Sequence, residues 1–133
     1  MKYLLGIDQG TTQTTAVIVN ERGEMVEKYS AQLPARFPQA GWVEQDPFDI
    51  LRTVKEACAP LLDKYDIAAV GFDNQGETFI LWDAETGQPV TPAIVWQDTR
   101  GESVCKALAP HVDSTGLRQK TGLLLDSYFS APK

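Results

Sequence analysis

The sequence predicts an α/β domain built on a mixed sheet with flanking helices, and three observations carry that prediction. An apolar run, Tyr3–Ile7, is followed after a short polar stretch by the β-branched run Thr14–Val19. An amphipathic helix opens at Asp46-Pro47. A second apolar run, Ile67–Phe72, follows that helix. Strand, helix and strand in this order return parallel by a right-handed crossover.

Each element has its own local cause. Tyr3–Ile7 is almost wholly apolar, as suits a strand buried on both faces. Asp8-Gln9-Gly10-Thr11-Thr12 interrupts it with turn chemistry, so Tyr3–Ile7 and Thr14–Val19 are expected to pair as a hairpin. A turn at Asn20-Glu21-Arg22-Gly23 leads to a weaker third strand over Glu24–Leu33. Pro34–Gly41 is irregular. Asp46 can cap the exposed N–H groups of the helix, and Pro47 sits at its first position, where no N–H is needed. Leu51, Val54, Cys58 and Leu61 recur at spacings of three and four and predict its apolar face. Pro60 predicts a kink or an early end. Ile67–Phe72 is expected to be buried. Phe79–Trp82 and Ala93–Trp96 are expected as further strands around a turn at Glu85-Thr86-Gly87, and Gly101–Leu108 as a short helix ending near Pro110. Trp42 and Trp82 are assigned to packing. Residues 1–133 are read as one domain cut before its C-terminal part, since Leu123, Leu124, Leu125 and Tyr128-Phe129-Ser130 are followed by no capping segment.

Bulk composition excludes several classes of function. The chain of 133 residues carries a net charge of −6, and no basic stripe is available to displace counterions from a nucleic acid. No apolar stretch approaches the ~20 residues that span a membrane. Lys2 is followed by only Tyr3–Ile7 before Asp8 breaks the run, which is not a signal peptide. A cytoplasmic location is therefore expected. Cys58 and Cys105 form neither a CxxC nor a metal-binding pattern and read as buried or half-buried free thiols. The single histidine, His111, has no nucleophile beside it and is expected at the surface.

Three segments carry chemistry. In Asp8-Gln9-Gly10-Thr11-Thr12, Gly10 allows close backbone approach to a ligand, and Thr11 and Thr12 can donate to phosphate oxygens. Asp8, at the C-terminal end of a central strand, can hold Mg2+ through water. The same pattern also suits a polar turn whose threonines satisfy the backbone. Asp73-Asn74-Gln75-Gly76-Glu77 follows the parallel strand, at the sheet edge where ligands gather in open α/β folds. Its carboxamides and Glu77 suit the hydroxyls of a polyol or sugar, and a solvated loop is the plain alternative. Trp96-Gln97-Asp98-Thr99-Arg100 sets an indole, able to cover a carbon skeleton, beside an acid and a base that either fix the loop or touch substrate.

Taken in order, four segments resemble the N-terminal region of the FGGY carbohydrate kinases. They are Gly6-Ile7-Asp8-Gln9-Gly10-Thr11-Thr12, Gly41-Trp42-Val43-Glu44-Gln45-Asp46-Pro47, Asn74-Gln75-Gly76-Glu77-Thr78 and Ile94-Val95-Trp96-Gln97-Asp98-Thr99-Arg100. A fifth, Thr121-Gly122-Leu123 through Tyr128-Phe129-Ser130, is similar to the substrate side of glycerol kinases. The resemblance implies a ribonuclease-H-like fold of the actin/hexokinase type, and transfer of the ATP γ-phosphate to a hydroxyl of glycerol or a related polyol or sugar. It implies Asp8 for Mg2+, Gly10, Thr11 and Thr12 for the phosphates of ATP, and Gln75, Gly76, Glu77, Trp96 and Tyr128 for the substrate. The catalytic base is expected beyond residue 133, so the chain alone is expected to be inactive.

Two positions depart from the glycerol kinase pattern. Gly76 and Thr15 stand where those enzymes usually carry arginine. Gly76 removes a multidentate donor and widens the pocket, which points to a larger polyol or sugar. The competing reading is a non-catalytic ATP-binding or assembly module of the actin-like ATPase superfamily. Glu77, Trp96 and Tyr128 discriminate, because such a module has no use for a polyol wall. Apolar surface at the cut end predicts homo-oligomers.

Overall fold

A computed structural model describes residues 1–133, which divide into two compact units: Met1–Ala35 with Gln45–Gly76, and Arg36–Glu44 with Glu77–Lys133. In the first unit, β1 (Tyr3–Gln9) and β2 (Gln13–Val19) form the expected antiparallel hairpin, with Asp8 opposite Thr15 and Gln9 opposite Thr14. β1 runs two residues beyond Ile7, so Asp8 and Gln9 belong to the strand and only the residues after them turn. The second hairpin closes at Asn20–Gly23, where Gly23 takes a φ of 79°, a left-handed turn geometry that glycine adopts at no steric cost. β3 (Met25–Gln32) follows it. β5 (Ile67–Asn74) joins β1 in parallel, and the sheet order is β3-β2-β1-β5.

The core lies between this sheet and α1 (Pro47–Leu62). Leu5, Ile7, Ala16, Ile18 and Ala31 of the strands meet Ala57, Cys58 and Leu61 of the helix. Fully burying a side chain such as Ile18 or Leu61 contributes about 1.5–3 kcal/mol. The helix begins as expected: the Asp46 carboxylate accepts the Phe48 N–H at 2.9 Å, with Pro47 in the first turn. Asp46→Ala is expected to lower stability by about 1 kcal/mol, read as a small fall in thermal midpoint.

Three expectations for this unit need correction. Val54, Cys58 and Leu61 face the core as expected, but Leu51 is half exposed and the buried stripe of α1 also takes in Thr53 and Ala57. The Thr53 hydroxyl meets that of buried Thr14 at 2.8 Å, so the face of the helix toward the sheet includes a satisfied polar pair. Pro60 does not end the helix early, for it lies in the last turn and Leu62 is still helical. β5 is not buried: Val70 and Phe72 are 57% and 60% exposed. It is the edge strand, and α1 lies over β2 and β3 instead.

The second unit has little regular structure. Phe79 and Ile94, and Trp82 and Pro89, meet only as isolated bridges where two strands were expected. The strand is reduced to β6 (Ala93–Ile94), paired with β4 (Glu44–Gln45). Trp82 is 68% exposed and does not serve packing. α2 (Glu102–Leu108) matches its expected span and runs into a 3-10 turn at Ala109–His111. α3 (Ser114–Thr121) was not anticipated, since it lacks an apolar stripe. Its ends were nonetheless legible: Asp113 accepts the Thr115 N–H, and Gly122 closes the helix at a φ of 75°. His111 is exposed, Cys58 is buried and Cys105 half-buried, and both thiols are free. No helix is long and apolar enough to cross a membrane.

Candidate functional site

In the first unit the site is built on the β1–β2 turn. Gly10 N–H closes it by donating to the Gln13 carbonyl at 3.0 Å. That amide is therefore committed to the turn, which leaves Gly10 a conformational role. A Cβ at Gly10 would stand 3.1 Å from the Gln13 oxygen, tighter than most real contacts. The two loop carbonyls are tied back to the protein: Thr11 O accepts from Gln45 Nε2 at 2.6 Å, and Thr12 O from Leu33 N–H at 2.9 Å. With its carbonyls engaged on one side, the loop is held rigidly.

Beneath it lies a carboxamide network that sequence reasoning missed. Gln75 Nε2 donates to Gln45 Oε1 at 2.9 Å, and Gln75 N–H to the Gln9 carbonyl at 3.0 Å. Gln9 Nε2 donates to the Gly10 carbonyl at 2.9 Å. All three glutamines are buried. Gln75, expected at the substrate, is turned into this network. The available signal was that Gln9, Gln45 and Gln75 each sit inside one of the ordered motifs. Gly76, by contrast, is exposed, and a Cβ there would meet nothing within 4 Å.

The Asp8 carboxylate is exposed and makes no hydrogen bond or ion pair. It stands in a cross-strand row on the sheet face away from α1, between Thr15 and Asp73. Thr15 in turn meets the Ser30 hydroxyl at 2.9 Å. An open groove of about 420 Å3 runs from Asp8, Thr15 and Asp73 over Gly6, Val17 and Gly71. A free carboxylate at a strand end fits a hydrated divalent cation, which needs only one or two carboxylates when phosphates complete its shell.

The second unit holds the aromatic residues. Trp96 and Tyr128 meet edge-on with ring centroids 5.9 Å apart, and Tyr128 meets Phe129 at 5.2 Å. Lys133 Nζ donates to the carbonyls of Val95, Trp96 and Tyr128 at 2.9–3.2 Å, tying the two aromatic segments together. Burial pushes its ammonium below the usual lysine value, against the pull of Asp98 and Glu77. Glu77 accepts from the Ser130 N–H and hydroxyl through Oε2. A cavity of about 480 Å3 opens beside Trp96 and Tyr128, lined also by Asp98, Cys105, Lys106 and Asp126.

Asp98 and Arg100 fix this loop. Asp98 is almost fully buried; it accepts the Val43 N–H at 2.7 Å and three donors of Arg100 at 2.8–2.9 Å. Arg100 also bridges to Glu44 at 2.8 Å and lies 3.7 Å over the Trp42 ring. Trp42 thus does pack, under a cation. Burial pushes the Asp98 carboxyl up, but the bonds from Arg100 and Val43 outweigh it and hold the group below the usual carboxylate range. Both side chains are consumed in this arrangement.

A mixed sheet with a Gly-Thr-Thr hairpin at the end of its central strand is the N-terminal portion of the actin/hexokinase-like fold seen in solved sugar kinases. The profile of the FGGY family of carbohydrate kinases, N-terminal domain, matches residues 3–133, and the chain belongs to that family. It is 43% identical to a glycerol kinase of Ralstonia pickettii over its full length, and 46% identical to one of Acidovorax sp.. Each comparison covers 28% of the relative, so the chain spans less than a third of the curated proteins it matches. The crystal structure of Plasmodium falciparum glycerol kinase with ADP superposes with a TM-score of 0.91 at 32% identity, over 99% of this chain and 28% of that one. A ligand-bound xylulose kinase from Lactobacillus acidophilus gives 0.88 at 28% identity, over 96% and 26%.

Proposed function

We propose that this chain is the N-terminal part of an ATP-dependent kinase that transfers the γ-phosphate to a hydroxyl of glycerol or a related polyol or sugar. The observation that carries the proposal is the Asp8 carboxylate, unpartnered at the end of β1 beside a turn whose carbonyls are tied back. ATP would supply the phosphoryl group, and Mg2+ would neutralise its charge. Asp8 would hold the cation through water, Gly10 would let the backbone approach, and the Thr11 and Thr12 hydroxyls would donate to phosphate oxygens. Phosphoryl transfer demands mainly positioning and charge stabilisation, which is what a rigid turn beside a free carboxylate offers.

Glu77 would accept a substrate hydroxyl, with Trp96 and Tyr128 against the carbon chain. The open space at Gly76 supports a polyol or sugar larger than glycerol. An assembly module would leave this wall without a use. The catalytic base would come from a further domain, in a cytoplasmic protein. Exposed Val70 and Phe72 favour self-association of the chain.

The test uses the paramagnetic ion Mn2+ as a probe for the Mg2+ site. It is expected to broaden the amide resonances of Gly10, Thr11 and Thr12, and Asp8→Asn to weaken that binding about tenfold, equivalent to ~1.4 kcal/mol. Unchanged broadening in the variant would refute the metal role.

A further inference from the structure

Glu77 is the only residue other than glycine with a positive φ, at 59°. Left-handed backbone crowds Cβ against a carbonyl oxygen, a cost that glycine does not carry. Such strain persists where the surroundings over-determine it, and it clusters at ligand sites. Here the surroundings are Ser130, a residue 53 positions away. Its N–H donates to Glu77 Oε2 at 3.1 Å, and its hydroxyl reaches the same oxygen at 3.0 Å and the Glu77 carbonyl at 3.1 Å. The hydroxyl has one hydrogen and can satisfy one of these acceptors at a time. Both the side chain and the main chain of Glu77 are nonetheless held from one residue. Only Oε2 is engaged in these bonds.

We infer that Ser130 is a positioning residue: it fixes Glu77 in its left-handed conformation so that Oε1 is presented to a substrate hydroxyl. The inference rests on the polyol reading above. A glycine at this position would make the same turn without strain but would offer no acceptor. A strained glutamate gripped through one oxygen gives up local stability for a preorganised acceptor, and preorganisation lowers the ordering cost of binding.

A double-mutant cycle tests it on the 133-residue chain, with Ser130→Ala, Ser130→Thr, Glu77→Gly and the Ser130→Ala/Glu77→Gly pair. Polyol binding is followed by the NMR shift of the Trp96 indole N–H over a panel of glycerol, longer alditols and sugars. Ser130→Ala is expected to weaken binding about tenfold, and Ser130→Thr to restore it to within about threefold. Glu77→Gly is expected to lose binding yet melt no lower than the parent, because the strain is relieved. Ser130→Ala should lower the melting temperature by about 4 °C in the parent and leave it unchanged in the Glu77→Gly background. Equal falls in both backgrounds would overturn the grip, since Ser130 would then stabilise the chain independently of Glu77. Melting coupling without polyol binding by the parent would demonstrate the grip but refute the polyol reading, and with it the presentation of Oε1.

Discussion

Asp98→Ala is expected to cost about 3–5 kcal/mol, the range for removing one partner of a buried ion pair. The loss has three parts. Arg100 is left half-buried with Glu44 as its remaining carboxylate, the Val43 N–H loses its acceptor, and a void opens where Asp98 was fully enclosed. For a chain of this size that is a fall of roughly 10–20 °C in the melting of the second unit. Asp98→Asn should cost less, because its amide oxygen can still accept from Val43. The same carboxyl gives a pH dependence. Its pKa is lowered on folding, so its stabilisation is complete above the ordinary carboxylate value of about 4 and is lost as pH falls through the folded value. Acid melting of the parent should therefore steepen below about pH 4, and that extra slope should be absent in Asp98→Ala. An unchanged midpoint for Asp98→Ala at pH 7 would show that the ion pair does not hold this loop.

Gln45→Leu is expected to destabilise the first unit by about 2–3 kcal/mol, although it adds apolar surface to a buried position. Gln45 is completely enclosed; it donates to the Thr11 carbonyl at 2.6 Å and accepts from Gln75 at 2.9 Å. Leucine can do neither, so the Thr11 oxygen loses this donor and the Gln75 amide loses its 2.9 Å acceptor. The local effect should be as clear as the global one. Amide exchange at Thr11 and Thr12 should accelerate, because the loop is no longer tied from behind, while exchange along α1 should change only through the global term. Protection of the turn unchanged in Gln45→Leu would show that the carboxamide network does not support it.

What the sequence could determine by itself is what depends on near neighbours. The β1–β2 hairpin follows from two β-rich runs around Gly10-Thr11-Thr12. The start of α1 follows from Asp46-Pro47, and the family from five short motifs in order. α3 was equally legible from Asp113 and Gly122 but was masked by its lack of an apolar stripe. Tertiary structure alone decided that Thr53 is buried on α1 while Leu51 is half exposed, because the Thr53 hydroxyl finds its partner in Thr14, 39 residues away. It also decided that β5 is an exposed edge, since hydrophobic content reports what a strand can bury and not what covers it. The site divides the same way. Asp8, Trp96 and the neighbouring Asp98–Arg100 pair could be named from local pattern, whereas the burial of Gln75 against Gln45, the anchoring of Asp98 to the Val43 N–H and the grip of Ser130 on Glu77 are long-range hydrogen bonds. Such bonds pair residues that the chain separates by tens of positions, and no local spacing encodes which acceptor a donor will meet.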